Sequence, residues 1–276
     1  MIDLLRAVIL GIIQGATEFL PISSSGHLVI TPWLLGWPAP SLFFDTVLHW
    51  GTLLSILLVF WRDFVDIIVA TLRSIFQRSL ADPNARLGWF LVIGTIPAAL
   101  TGLLLKDFIE ALFESPRAAG VFLLVTAGLL TLSEALARRI RSQTPLEGLR
   151  LSQAVWIGAA QALALAPGLS RSGITIATGL AVGLRRDVAA RFSFLLGTPA
   201  FLGAGLLQLV DALSADGAEV ATQLPALVAG FVASAVVGFI AIRFMLAYLR
   251  RHTLHIFAIY CLVAGLAVIA LTFLRA

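Results

Sequence analysis

The chain has 276 residues, of which 59% are hydrophobic and only 12% charged, with a mean hydropathy of +0.99. A soluble protein of this length needs far more polar surface to cover its core, so a soluble fold is excluded and the bilayer is taken as part of the fold. The net charge of +4 does not point to nucleic acid, because the arginines are gathered in short connectors between apolar runs, a pattern that marks membrane topology.

In chain order, Met1 to Arg6 leads into an apolar stretch, roughly 2–36, without a small-residue cleavage site, so no cleavable signal is expected. That stretch is split by Pro21-Ile22-Ser23-Ser24-Ser25-Gly26. Three runs near 42–61, 87–105 and 118–136 follow, each close to the about 20 apolar residues that cross a hydrocarbon core. A second split stretch, roughly 152–184, is interrupted by Pro167-Gly168-Leu169-Ser170-Arg171-Ser172-Gly173. Three more spans are expected near 192–210, 225–247 and 255–274. The lone Cys261 lies in the last of them, which excludes disulfides and reads as inert packing.

Irregular backbone at membrane depth is tolerated only where protein or a water-filled cavity surrounds it. The two split stretches therefore read as re-entrant helical hairpins lining a cavity. Four connectors carry Arg62, Arg73, Arg78 and Arg86; Arg138, Arg139, Arg141 and Arg150; Arg185, Arg186 and Arg191; and Arg250 and Arg251. The positive-inside rule makes these cytoplasmic. The connectors around Lys106–Arg117 and Asp211–Gln223, and both termini, then lie outside. One hairpin dips in from each side, and their tips meet near the midplane.

The hairpins are also related in sequence. Gly11-x-x-Gln14 runs on to Pro21, Ser23, Ser25 and Gly26, and Gly158-x-x-Gln161 to Pro167, Ser170, Ser172 and Gly173, with twelve positions from Gln to Gly in both. A second echo links Phe90–Ala98 to Phe194–Ala200. Together they predict an all-α polytopic membrane protein: a single domain over 1–276 with about six spans and two re-entrant hairpins in an inverted-topology repeat, its halves roughly 1–137 and 150–276. Transporters share this plan, so the fold alone does not decide between an enzyme and a transporter or flippase.

Gln14 and Glu18 are four apart and share a helix face aimed at the first turn. A carboxylate at membrane depth costs about 2.5–3.5 kcal/mol, which makes Glu18 a functional candidate; a protonated Glu bonded inside the bundle is the alternative. Ser23, Ser24, Ser25, Gly26 and His27 open the next helix, where unpaired N–H groups and the helix dipole favour a phosphate. Ser24 and His27, three apart, form a nucleophile and base pair on paper, against plain capping and an interfacial histidine. In the second turn Arg171 demands an anion and its planar fork suits phosphate, with Ser170, Ser172, Gly173 and Thr175 around it. A buried Glu18–Arg171 ion pair is the competing account of both. Asp45 and His49 read as supporting or interfacial residues, Thr175 and Gln161 as polar lining, and Glu134, Asp63 and Asp66 as solvated span ends. A structural scaffold is the third reading, and buried charge argues against it.

The segment from Gln14 through Glu18 and Pro21 to Ser24 and His27, with Pro167 through Arg171 to Thr175, resembles the two signatures of the undecaprenyl-diphosphate phosphatase, or bacitracin-resistance, family. The resemblance implies hydrolysis of undecaprenyl diphosphate to the monophosphate and inorganic phosphate at the outer face of the plasma membrane, recycling the lipid carrier for peptidoglycan synthesis and giving bacitracin resistance. It implies Glu18, Ser24 and His27 as catalytic residues and Arg171 as the phosphate-binding arginine. It also implies a divalent cation, magnesium or calcium, near Glu18 and Gln14, where the family varies between Glu and Gln. The expected partners are the lipid substrate, membrane lipids and, as an open alternative, a second copy in a homodimer. Attack by Ser24 and attack by water activated at Glu18 both stay open.

Overall fold

In a bilayer every backbone N–H and C=O must be satisfied within the protein, and this chain does so with helices. The computed structural model describes residues 3–113, 115–140, 143–215 and 217–275, without the side chains at 106, 107, 110, 113 and 211–222. Among the described residues there are twelve α-helices and no strand, only an isolated bridge between Thr144 and Leu184. They are α1 (Leu4–Phe19), α2 (Ser24–Leu35), α3 (Leu42–Val59), α4 (Trp61–Gln77), α5 (Pro83–Leu104), α6 (Lys106–Phe113), α7 (Pro116–Ala137), α8 (Leu151–Leu163), α9 (Arg171–Ala181), α10 (Arg186–Ala215), α11 (Gly217–Leu249) and α12 (His255–Leu274). Six segments are long and apolar enough to cross a membrane: α3, α5, α7, Arg186–Val210 of α10, Gln223–Leu249 of α11, and α12. They match the six expected spans, and the protein is a multi-pass, all-helical membrane protein. Met1, Ile2, Glu114, Arg141, Ser142, Asp216 and Ala276 lie outside the described residues, so the expected place of Arg141 in its connector has no structural counterpart.

The polar ends of the spans gather into two groups at the two ends of α7. At one pole Arg186 holds Glu134 with two bonds of 3.0 and 2.5 Å, the Leu254 N–H donates to Glu134 at 2.9 Å, and Arg191 pairs with Asp63 at 2.5 Å. At the other, Arg117 lies over Phe273, and Arg275 donates to the carbonyls of Trp33 and Leu34. Two expectations are corrected here. Glu134 is not solvated but fully buried, its carboxylate tying α7 to α10 and to the start of α12; Asp63 is a partly covered ion-pair partner. Asp66 is exposed, as expected.

The 62–86 segment is not a plain connector either. It contains α4, whose Ile67, Ala70 and Ser74 are buried while Val65, Ile68, Leu72, Ile75 and Phe76 are exposed. Arg62, Asp66, Arg73 and Gln77 occupy a third, polar stripe. Three such stripes suit a helix packed on the protein and lying at the membrane surface.

The two split stretches become the pairs α1–α2 and α8–α9. Pro21 has no N–H to continue a helix and drives Leu20 extended, so α1 stops at Phe19. Each pair packs against the other half of the chain through small residues, as membrane helices do. Gly11 of α1 faces the Gly230 backbone of α11, and Gly158 of α8 lies directly on the Gly94 backbone of α5. Both helices are therefore brought close enough for their turns to touch. The second sequence echo does not fall at matching places in the two halves. Phe90–Ala98 lies in α5, the second span after the first pair, and Phe194–Ala200 in α10, the first span after the second pair.

Candidate active site

Both turns start a helix in the same way. Ser23 caps α2 by accepting from Gly26 N–H at 3.2 Å, and Ser170 caps α9 by accepting from Gly173 N–H at 3.0 Å. Ser24 and Arg171 are thus the first residues of their helices, at matched positions of the two related segments. The turns interlock. Gly168 N–H donates to Ser23 Oγ at 3.0 Å, and Ser172 Oγ donates to the Leu20 carbonyl at 3.2 Å. Thr126 of α7 braces the second turn, donating to the Gly168 carbonyl and accepting from Ser170 N–H, both at 3.1 Å. Ser23 adopts a φ of 70° and Gly168 a φ of 94°. A left-handed serine is uncommon and costs energy, and here its side chain is held by two N–H donors.

Glu18 is where the halves meet. Its Oε2 accepts from Ser24 Oγ at 2.5 Å and from Gln14 Nε2 at 2.9 Å, while its Oε1 accepts from Arg171 Nη2 at 2.8 Å. The carboxylate is 4% exposed and the arginine side chain 13%. The counterpart of Glu18 in the second segment is Leu165, four residues after Gln161. One turn therefore supplies carboxylate and hydroxyl, and the other supplies the cation. Arg171 is oriented by two further contacts, and Thr175 braces the residue that makes one of them. Arg171 Nη1 donates to the Ser193 carbonyl at 3.0 Å, its guanidinium lies 4.6 Å over the Phe201 ring, and Thr175 bonds Ser193 Oγ at 2.6 Å behind it. Gly197 leaves the space that the guanidinium fills, since a Cβ there would collide with it.

The expected residues divide into two groups. Ser24, Glu18, Gln14 and Arg171 form one connected cluster. Ser23, Ser170 and Ser172 are buried and use their hydroxyls on caps and cross-turn bonds, Ser25 lies 3.3 Å from Ser23 Oγ, and Thr175 supports Arg171 from behind. Gly26 and Gly173 let the turns pack, Gly26 against Gly168 and Gly173 against Pro21. His27 is not hydrogen-bonded to Ser24. Its Nδ1–H donates to the Ser23 carbonyl at 2.7 Å, which in the neutral ring leaves Nε2 to accept from the Tyr260 hydroxyl at 2.6 Å. Gln161 is buried, and its amide has no hydrogen-bond partner among the described residues.

Sequence reasoning undervalued His49, whose Nε2 lies 3.6 Å from Glu18 Oε2 while Nδ1–H donates to the Asp45 carbonyl at 2.8 Å. It missed Phe201, Ser193, Gly197 and Tyr260 altogether. Only the Gly197-Thr198-Pro199 echo gave a signal, and it spoke of a repeat, not of space for a cation.

Chemically, the cluster joins a hydroxyl to a proton acceptor beside a guanidinium. The N–H groups of Ser24, Ser25, Arg171 and Ser172 have no acceptor among the described residues, nor has the buried Arg171 Nε. Two helix N-termini and a cation are therefore brought together beside Glu18, the arrangement that stabilises phosphoryl oxygens. Gln14 Oε1 is a buried acceptor without a donor. With the Glu18 carboxylate it makes three oxygens from two side chains, and among the described residues no three His, Cys, Asp or Glu side chains gather into a metal group. That donor set fits a divalent cation shared with substrate phosphate and water, not one held by protein alone.

Two substitutions probe the supports. Gly197→Ala is expected to push the guanidinium off Glu18 and lower turnover by about 10²-fold, since an ångström of misplacement costs that much, with little change in helix content by circular dichroism. Tyr260→Phe is expected to lower turnover by no more than about tenfold, the scale of one hydrogen bond, because it frees His27 without touching Glu18. Steady-state phosphate release checks both.

The family model described as "Bacitracin resistance protein BacA" matches residues 7–267. Full-length relatives are similar throughout. A protein from Methanosphaera stadtmanae named "Undecaprenyl-diphosphatase" is 44% identical, with 99% of both chains covered. One of the same name from Rubrobacter xylanophilus is 46% identical over 99% of this chain and 100% of its own. Another from Desulforudis audaxviator is 43% identical over 98% of each.

Proposed function

The chain belongs to the bacitracin resistance protein BacA family, and on that premise we propose that the Glu18 cluster is the active centre of an undecaprenyl-diphosphatase. The reaction is removal of the terminal phosphate of undecaprenyl diphosphate, and bacitracin resistance is the family's role. The observation that carries the site assignment is the pair of bonds at Glu18, 2.5 Å to Ser24 and 2.8 Å to Arg171.

In the mechanism we favour, the isoprenoid tail lies among the spans and the diphosphate enters between the two helix N-termini. Glu18 takes the Ser24 proton as Ser24 Oγ bonds to the terminal phosphorus, and the bond to the departing lipid phosphate breaks. A protonated Glu18 no longer neutralises Arg171, so the guanidinium turns its charge and its unpaired Nε–H to the phosphoryl oxygens as negative charge builds there. Glu18 passes the proton to the departing lipid phosphate; water then attacks the phosphoserine phosphorus and gives its proton to Glu18, the Ser24 Oγ–phosphorus bond breaks, and Glu18 returns the proton to Ser24 Oγ as inorganic phosphate leaves. His27 holds the strained Ser23 turn through the Ser23 carbonyl. The divalent cation would be held by Glu18, Gln14 Oε1 and the diphosphate, and it supplies charge neutralisation when bound.

The placement in the membrane follows from the same features. α1, α2, α8 and α9 have 16, 12, 13 and 11 residues, roughly 17–24 Å at 1.5 Å per residue, short of a hydrocarbon core of about 30 Å. We read them as re-entrant pairs of an inverted repeat, supported by the exchange of packing between halves. With the basic pole cytoplasmic, His49 stands seven residues into α3 from the opposite end. The site then opens to the outer side. It is complete within one chain, so activity should not depend on self-association.

Purified protein in detergent, with no second compartment, should release inorganic phosphate from undecaprenyl diphosphate, whereas lipid transport without phosphate release would support the flippase reading instead. Ser24→Ala should abolish release while lipid diphosphate still binds; near-normal release from that variant would remove serine from the nucleophile role.

A further inference from the structure

We propose that the groove between α4, α5 and the start of α8 binds an anionic glycerophospholipid of the leaflet at the basic pole. The groove has a volume of about 500 Å³ and is lined by Arg78 and Arg86 together with Ile75, Phe90, Ile93 and Leu151, within the size range of small-molecule sites. It shares no residue with the Glu18 cluster, so the inference does not rest on the phosphatase reading.

Charge decides the occupant. At the same pole Arg185, Arg186 and Arg191 each pair with a carboxylate. Arg78 and Arg86 have none among the described residues, and Arg86 makes only a 3.4 Å bond to the Glu147 carbonyl. The nearby Asp82 uses its Oδ1 to cap Asn84 N–H at 2.8 Å. Two arginines without a carboxylate partner therefore line one groove, and a phosphodiester at its rim is the membrane anion that their forks fit.

Depth decides that it is a lipid. α5 begins at the basic pole with Pro83, so Arg86, Phe90 and Ile93 descend one helix face toward the membrane interior, about 10 Å at 1.5 Å per residue. The lining thus changes from cationic to apolar in the direction in which a phospholipid changes from headgroup to acyl chain. The wall is fixed by Trp89 Nε1–H donating to Ser74 Oγ at 3.1 Å, and the exposed apolar stripe of α4 continues the surface into the acyl layer.

Native mass spectrometry of the full chain, with phosphatidylglycerol and phosphatidylcholine of identical acyl chains, tests the assignment. The wild type should retain one phosphatidylglycerol in clear preference to phosphatidylcholine. Arg78→Gln with Arg86→Gln should lower that occupancy by about tenfold or more, the scale of lost charge-assisted bonds. Arg250→Gln with Arg251→Gln, at the same pole, should leave it unchanged. Circular dichroism and phosphate release at wild-type levels would show that the variants are folded, and the single Arg86→Gln serves should the double variant not fold. Equal retention of the two lipids, or undiminished retention by the Arg78 and Arg86 variants, overturns the proposal. So does displacement of phosphatidylglycerol by inorganic phosphate, which would make the groove a free-anion site.

Discussion

Glu18→Gln should lower turnover by about 10³–10⁴-fold, the scale of a lost general base, while lipid diphosphate still binds. Glutamine preserves the size of the side chain and can still accept from Ser24, but it cannot take the proton. It also strips Arg171 of its countercharge in a place where the guanidinium is 13% exposed. Breaking one side of such a buried pair costs about 3–5 kcal/mol, so the melting temperature in detergent should fall. Added substrate should restore much of that loss, because the diphosphate supplies the missing anion. A scaffold role for Glu18 predicts the same loss of stability but no rescue by substrate. Turnover within tenfold of wild type would remove Glu18 from the proton-transfer step.

Arg171→Ala should lower kcat/KM by about 10³–10⁵-fold, the range for an arginine that stabilises a transferring phosphoryl group. The lesion is double: the phosphoryl oxygens lose their fork, and Glu18, without a cation at 2.8 Å, is driven toward its protonated form and away from base duty. Arg171→Lys should recover only part of the loss. An ammonium can meet Glu18, but it cannot also reach the Ser193 carbonyl or lie flat over Phe201 as the guanidinium does. Removing both partners, Glu18→Ala with Arg171→Ala, should destabilise the protein by less than the two single changes combined, since neither charge is then left unpaired. Additive losses would mean that the two residues act separately.

The spans and the residues bonded to Glu18 were legible because their signals are local. Twenty-residue apolar runs announce the spans, and the cost of a charge in an apolar run singles out Glu18 and Arg171. The i, i+4 rule placed Gln14 beside Glu18, and the bond is there at 2.9 Å. What stayed hidden depends on distant chain. Glu134 sits near a span end and looks solvated, and only the folding of Arg186 and Leu254 onto it makes it a buried tie. His49 and Tyr260 come from α3 and α12, and nothing near either in sequence says that they meet Glu18 and His27. In α4 the lipid-facing stripe is interleaved with Arg62, Asp66 and Arg73, so the segment reads as a charged connector until it is wound into a helix. The Ser24–His27 pairing failed for a local reason: the imidazole bonds back to the Ser23 carbonyl of its own turn and faces away from Ser24 toward α12.

Rapid-quench mass spectrometry of the Ser24 peptide during a single turnover of undecaprenyl diphosphate tests the account most directly. A phosphoryl group on Ser24 that rises before inorganic phosphate and decays as phosphate is released is the predicted result, with slower decay under conditions that slow water attack. Release of phosphate at the wild-type rate with Ser24 unmodified at every time point would contradict it and leave a water activated at Glu18 as the nucleophile.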